Sequence, residues 1–160
     1  MTTAAQQPTP IYLSAAVSNS ALNLELRGRL PADRYELVLP QEFTPDIPHM
    51  TLERAIYQLC IDEMERSAAG ILLLDAFGID CAMESGWYAA NKKPLVGIAN
   101  STARFTSNWM VKGALTHFVT MQPALYEQVK DDKIFAGHCK CHLLSDWSEL
   151  AAVLDEAIAT

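Results

Sequence analysis

The sequence predicts an α/β fold: a single-domain, flavodoxin-like or Rossmann-like three-layer sandwich around a five-stranded parallel sheet. Short apolar segments alternate with segments of helical period along the chain. The third apolar segment, Gly70 to Leu74, is almost wholly hydrophobic, as a strand covered on both faces must be. Prolines punctuate several joints between segments.

In chain order, Met1 to Thr9 is polar and reads as a flexible lead, and residues 10–160 form the domain. Pro10 to Ala16 is the first strand, and Asn19 to Leu30 a helix with Leu22, Leu26 and Leu30 at helical spacing, stopped by Pro31. Tyr35 to Leu39 is the second strand, and Pro45 and Pro48 mark the loop Gln41 to His49. Thr51 suits the N-cap of a helix reaching Ser67, with Ile56, Leu59, Cys60 and Met64 on its buried stripe. After the third strand come a helix, Cys81 to Asn91, and a strand, Pro94 to Ala99. Trp109 to Thr120 and Ala124 to Lys130 are expected as helices, Lys140 to Leu144 as the fifth strand, and Asp146 to Ala159 as a closing helix capped by Asp146 or Ser145.

The 160 residues make one domain, long enough to bury roughly two-thirds of the unfolded surface. Half are hydrophobic, so a core needs neither disulfides nor metal. Nineteen acidic against 12 basic residues give a net charge of −7, which argues against nucleic acid, whose phosphates call for Lys and Arg. A small molecule is the expected partner. No apolar run approaches the ~20 residues that span a membrane, and the first ten residues lack the pattern of a secretory signal. The expected setting is the cytoplasm, with Cys60, Cys81, Cys139 and Cys141 as free thiols.

The turn after the first strand, Ser14 to Ser20, contains no glycine, so a dinucleotide fingerprint is missing where this fold would carry it. Ser18, Asn19 and Ser20 serve equally as a helix cap or as hydrogen-bond donors to a phosphate or sugar. In His138-Cys-Lys-Cys-His142, strand alternation sends the histidines and the thiols to opposite faces, and no second ligand pair follows in sequence. No metal site is expected from it. Cys81 opens a helix beside Asp80 and Glu84, which oppose a thiolate.

Ile71 to Ala90 is the segment richest in chemistry. An apolar strand runs into Asp75, and the following helix begins with Asp80 and Glu84, at the carboxyl end of the sheet where ligands bind. Asp80 and Glu84 are four apart, with Cβ atoms about 6 Å from each other on one helix face. Two shielded carboxylates that close divide their roles, one ionised and one protonated, as glycosidic chemistry requires. The same acids also simply suit the positive end of a helix dipole.

Ile11-Tyr12-Leu13 on the first strand, followed by Asp80-Cys81 and Glu84-x-Gly86-x-x-Ala89, resembles the nucleoside 2-deoxyribosyltransferase family. Its members typically carry I-Y-L-A-G and later D-[SC]-G-T-x-x-E-x-G-Y-A, and Lys92-Lys93-Pro94-Leu-Val resembles the stretch that follows. The resemblance covers roughly residues 10–115. It implies that Glu84 is a nucleophile forming a covalent deoxyribosyl-enzyme, that Asp80 assists at the nucleobase, and that Tyr12 orients the nucleophile. It also implies base contact by Asp62, and a homo-oligomer in which Asn108 and Met110 complete a neighbour's site. No metal or organic cofactor is implied.

Trp87, Tyr88, Phe77 and Trp109 are candidates to stack on a base; aromatics at helical spacing more often belong to the core, and Phe77 and Trp109, on loops or element ends, are better placed than Tyr88. The family's Gly-Thr between Asp80-Cys81 and Glu84 is missing, Ala15-Ala16 replace its Gly-Pro, and Ala68 stands where it has an acid. These departures leave three functions in view. The first is transfer of 2-deoxyribose between bases. The second is an N-glycosidase acting on a nucleoside or its 5′-monophosphate, with Ser18, Ser20 and Arg104 as phosphate ligands. The third is a nucleotide-binding sensor that has lost turnover.

Overall fold

The computed structural model describes residues 7–16, 20–45, 49–101 and 108–160, the side chains of residues 20–22 excepted. Among the described residues six strands and six α-helices alternate: β1 (Thr9–Ser14), α1 (Ser20–Arg29), β2 (Tyr35–Val38), α2 (Leu52–Arg66), β3 (Ala69–Leu73), α3 (Ile79–Ala90), β4 (Leu95–Ile98), α4 (Trp109–Ala114), β5 (His117–Thr120), α5 (Pro123–Val129), β6 (Lys140–Leu143) and α6 (Leu150–Ala159). The sheet is parallel throughout, in the order β2-β1-β3-β4-β5-β6.

The sheet has six strands, not five. The expected helix Trp109 to Thr120 divides: α4 ends at Ala114, and His117–Thr120 forms β5 between β4 and β6. All four residues of β5 are buried, so the tertiary environment overrides the helical reading of a short apolar run. The closing helix is also shorter than expected. Asp146 caps a 3-10 turn, Trp147–Glu149, by accepting from the Ser148 N–H at 2.8 Å, and α6 starts at Leu150. In α2 the buried stripe runs through Ala55 and Met64 with Leu59 and Cys60 half-buried, whereas Ile56, a 100° step past Ala55, is 37% exposed. Thr51 caps this helix as expected, accepting from the Arg54 N–H at 3.4 Å.

Strand alternation builds two cores. Ile11, Leu13, Ile71, Leu73, Val96 and Val119 face α1 and α6, meeting Leu26, Leu30, Val153 and Leu154. Tyr12, Leu72, Leu95 and Phe118 face the other way, meeting Met64 of α2, Tyr88 of α3, Val111 of α4 and Leu125 of α5. Tyr88 fixes the height of α3 over the sheet. Its ring lies on Gly70, where an added Cβ would come within 2.7 Å of the ring carbon Cζ. Lys93 secures the end of α2, donating to the carbonyls of Met64, Glu65 and Ser67 at 2.8, 2.6 and 2.6 Å. Among the described residues, no helix is long and apolar enough to cross a membrane.

Candidate active site

From β1 the chain crosses to β2 on one side and returns to β3 on the other, so strand order reverses between β1 and β3. In an open α/β sheet that reversal opens a crevice beyond the strands' carboxyl ends. Here the Ala16 N–H donates to the Ala76 carbonyl at 2.9 Å, tying the two strand exits together. α3 starts immediately afterwards. Its N-cap, Gly78, has no side chain to offer, and its N–H donates to Cys81 Sγ at 3.3 Å.

Cys81, Ser85 and Tyr88 form the buried stripe of α3. Glu84 stands at its edge, one turn before Tyr88, and is carried over the end of β1. Tyr12 and Ser14, two apart on β1, project from the same face. The Tyr12 hydroxyl donates to Glu84 Oε1 at 2.6 Å, and the Ser14 hydroxyl donates to Oε2. Both carboxylate oxygens are thus held by donors from a single rigid strand.

Burial pushes the Glu84 carboxyl above its ordinary pKa; the hydrogen bonds from Ser14 and Tyr12 oppose that rise, and the nearby charge of Asp80 adds to it. Burial, together with the Glu84 charge and hydrogen bond, raises the Tyr12 phenol so far that it stays protonated and remains a donor. The Cys60 thiol, brought beneath Tyr12 by α2, is itself raised chiefly by burial, as is Cys81. Neither thiol is prepared as a nucleophile.

The other expected residues divide. Asp80 is exposed in the first turn of α3, on the Glu84 side. Asp75, expected in the crevice, is engaged there structurally: it accepts from the Asn100 N–H at 2.6 Å and the Ser101 hydroxyl at 2.6 Å. Asp62 is exposed on α2 and accepts from Gln58 Nε2 at 2.8 Å. Phe77 is half-buried against the core face that carries Tyr12. Tyr88 is fully buried, whereas Trp109 is 76% and Met110 85% exposed. Asn108 caps α4, accepting from the Val111 N–H at 3.1 Å. Ser18 and Arg104 lie outside the described residues, as does the side chain of Ser20.

Sequence reasoning missed Ser14, although strand period alone places it on the face of Tyr12. It also missed Cys60 as Tyr12's neighbour, which no local pattern reveals. A separate cavity of about 450 Å³ follows the edge strand β2 between Arg27 and Arg66 and involves none of the groups around Glu84.

Fold and site together describe a doubly wound α/β protein whose switch-point crevice presents a hydroxyl-held carboxylate. The family described as nucleoside 2-deoxyribosyltransferase matches residues 11–139, and the chain belongs to that family. Among solved structures, a 2-deoxyribosyltransferase from the psychrotolerant bacterium Bacillus psychrosaccharolyticus is 17% identical, with a TM-score of 0.49 over 69% of this chain and 85% of that one. A conserved protein from Enterococcus faecalis V583 is 16% identical, with a TM-score of 0.51 over 95% of this chain and 98% of that one. The latter supports the fold over nearly the whole chain. No curated protein matches the sequence.

Proposed function

We propose that the protein cleaves the N-glycosidic bond of a (deoxy)nucleoside and passes 2-deoxyribose to another nucleobase through a covalent sugar ester on Glu84. The observation that carries this reading is the carboxylate itself, partly shielded from water at the switch-point crevice and gripped by Tyr12 and Ser14. One Glu84 oxygen attacks the anomeric carbon as the bond to the base breaks. The bonding pair leaves with the base, and a proton delivered by Asp80 or solvent neutralises it. A ring nitrogen of the second base then attacks the same carbon, and the ester's electron pair returns to Glu84. The two hydroxyls hold the carboxylate in one orientation, so little reorganisation accompanies attack. The chemistry requires no metal or organic cofactor.

Water in place of the second base gives the hydrolytic reading, with a nucleoside or its 5′-monophosphate as substrate. The exposure of Asp80 at the rim favours it, because water has a path to the ester. The proposal also includes a homo-oligomer whose neighbours complete each other's sites. Ile79 and Met83 on α3 are 87% and 66% exposed, and Trp109 and Met110 on the neighbouring helix α4 are 76% and 85% exposed, apolar side chains that a second copy would cover.

Chromatographic assay of a panel of nucleosides and 5′-monophosphates, with and without a second free base, tests the reading. A new nucleoside formed only with the second base supports transfer, and base released without an acceptor supports hydrolysis. Silence across the panel, with ligand binding intact, would overturn both in favour of a nucleotide sensor.

A further inference from the structure

On the sheet face opposite Glu84, His117 of β5 and His142 of β6 stack with ring centroids 5.4 Å apart and planes 17° from parallel. Glu156 of α6 approaches the same pair. His117 is buried, at 2% exposure, and the Nε2 atoms of both histidines are buried without a hydrogen-bond partner among the described residues. Buried polar atoms are almost always paired, so two adjacent orphans call for an explanation.

The contacts around His117 anchor one of its two ring nitrogens. The Thr116 hydroxyl accepts from the Leu95 N–H at 3.0 Å and donates its only proton to the Leu95 carbonyl at 3.2 Å. His117 Nδ1 lies 3.1 Å from the same hydroxyl oxygen and is engaged there, which leaves Nε2 as the ring's unpaired nitrogen. With the proton on Nδ1, the tautomer that metal ligation through Nε2 requires, Nε2 presents a bare lone pair that no described donor meets. An anchored N–H on one ring nitrogen with a free lone pair on the other is how proteins orient a metal-ligating imidazole.

We propose that His117 Nε2, His142 and the Glu156 carboxylate form a site for a divalent transition-metal ion of the Zn2+ class. One ligand atom from each residue lies within 4.8 Å of the others. Tetrahedral ligation at about 2.1 Å needs them about 3.4 Å apart, a closure within reach of the exposed Glu156 side chain. Two imidazoles and one carboxylate suit Zn2+ and its neighbours rather than Mg2+ or Ca2+, which prefer all-oxygen shells. Lys140 donates to Glu156 Oε1 at 2.7 Å and competes with the ion for the carboxylate. Bound metal would tie the edge strand β6 and its neighbour β5 to the last helix. The pairing is invisible in the His138-Cys-Lys-Cys-His142 motif, because His142 finds its partners in other elements. Cys139 and Cys141 pack against the opposite core.

Untagged protein stripped of metal, titrated with Zn2+ and Co2+ by calorimetry, provides the test. One equivalent is expected to bind, at least tenfold more weakly in Glu156→Gln and His142→Asn, and several-fold more tightly in Lys140→Met. A Cys139→Ser/Cys141→Ser double variant should bind as wild type, and bound Co2+ should show ligand-field bands without thiolate charge transfer. Should His142→Asn lose its circular-dichroism signature, the exposed Glu156→Gln and Lys140→Met decide. The proposal is overturned if wild type binds no Zn2+ in the micromolar range. It is also overturned if Glu156→Gln binds undiminished, or if the cysteine variant abolishes binding; the histidine pair would then be a packed, uncharged stack.

Discussion

Tyr12 and Glu84, separated by 72 residues, share a 2.6 Å hydrogen bond in which the phenol donates to the carboxylate. The bond joins the first strand to the second turn of α3, with Ser14 completing the grip on the other oxygen. Burial raises the pKa of both groups, and the phenol, which starts far above a carboxyl, keeps its proton and remains the donor.

Replacing Glu84 with Gln should lower kcat/KM by about a thousandfold or more, since the amide keeps the shape of the side chain but cannot form the ester. Steady-state kinetics on the substrate found in the panel assay check this. A variant retaining a tenth of wild-type activity would remove Glu84 from the nucleophile's role.

The same substitution should raise stability at neutral pH, by about 1 kcal/mol, as often happens where function holds a charge out of water. The sign follows from the raised pKa. Between the ordinary carboxyl value of 4.5 and the higher folded value, the native state keeps a proton that the unfolded chain has lost. Wild-type stability therefore falls as pH rises through that window, and stays lower above it. Urea unfolding of both proteins at several pH values should show the advantage of Glu84→Gln shrinking below about pH 4.5.

Tyr12→Phe and Ser14→Ala each remove a hydrogen bond that lowers the Glu84 pKa, leaving the effect of burial less opposed. The acid limb of the pH–rate profile should shift to higher pH in both. A bond to a charged group is worth about 1.5–3 kcal/mol, so kcat/KM should fall roughly 10- to 150-fold. A uniform loss of rate with an unmoved limb would mean the hydroxyls act elsewhere.

Lys93→Met should weaken the protein without touching the site. The ammonium offers its three protons to the last carbonyls of α2, and the Met side chain keeps most of the aliphatic length. A loss of about 1–2 kcal/mol is expected in chemical denaturation, with kcat and KM unchanged.

Tyr88 and Gly70 offer a paired test of packing. Gly70→Ala would push a methyl into the Tyr88 ring, costing about 1–3 kcal/mol and displacing α3 together with Glu84. Tyr88→Phe removes a buried hydroxyl that lacks a partner among the described residues, and should stabilise by about 1 kcal/mol. Thermal melts of the two variants should move in opposite directions.

The strand–helix alternation was legible because most strands are short apolar runs bounded by proline, glycine or a capping residue. β5 was not, because Leu115 to Thr120 follows α4 with only Gly113 as punctuation, and a buried strand has no period of its own. In the site, Tyr12 and Glu84 were visible through their resemblance to family motifs, and Ser14 lay within reach of simple alternation. Asp75 misled, since its position at a strand end suits ligand binding and loop anchoring equally. The His117–His142 pair was hidden because proximity across neighbouring strands depends on a register that one chain's spacing does not contain.

Asp75 has a wider effect than its own two loops. It holds the backbone of Asn100, whose side-chain oxygen in turn accepts from the Met121 N–H at 2.9 Å, so the exits of β3, β4 and β5 form one continuous brace. The rim of the crevice is therefore stiff where it leaves the sheet, and a disturbance at Asp75 should propagate sideways to Met121, two strands away. Attempts to change substrate preference by grafting new segments onto this rim should leave Asp75 and Asn100 in place, because altering either would loosen three strand exits at once.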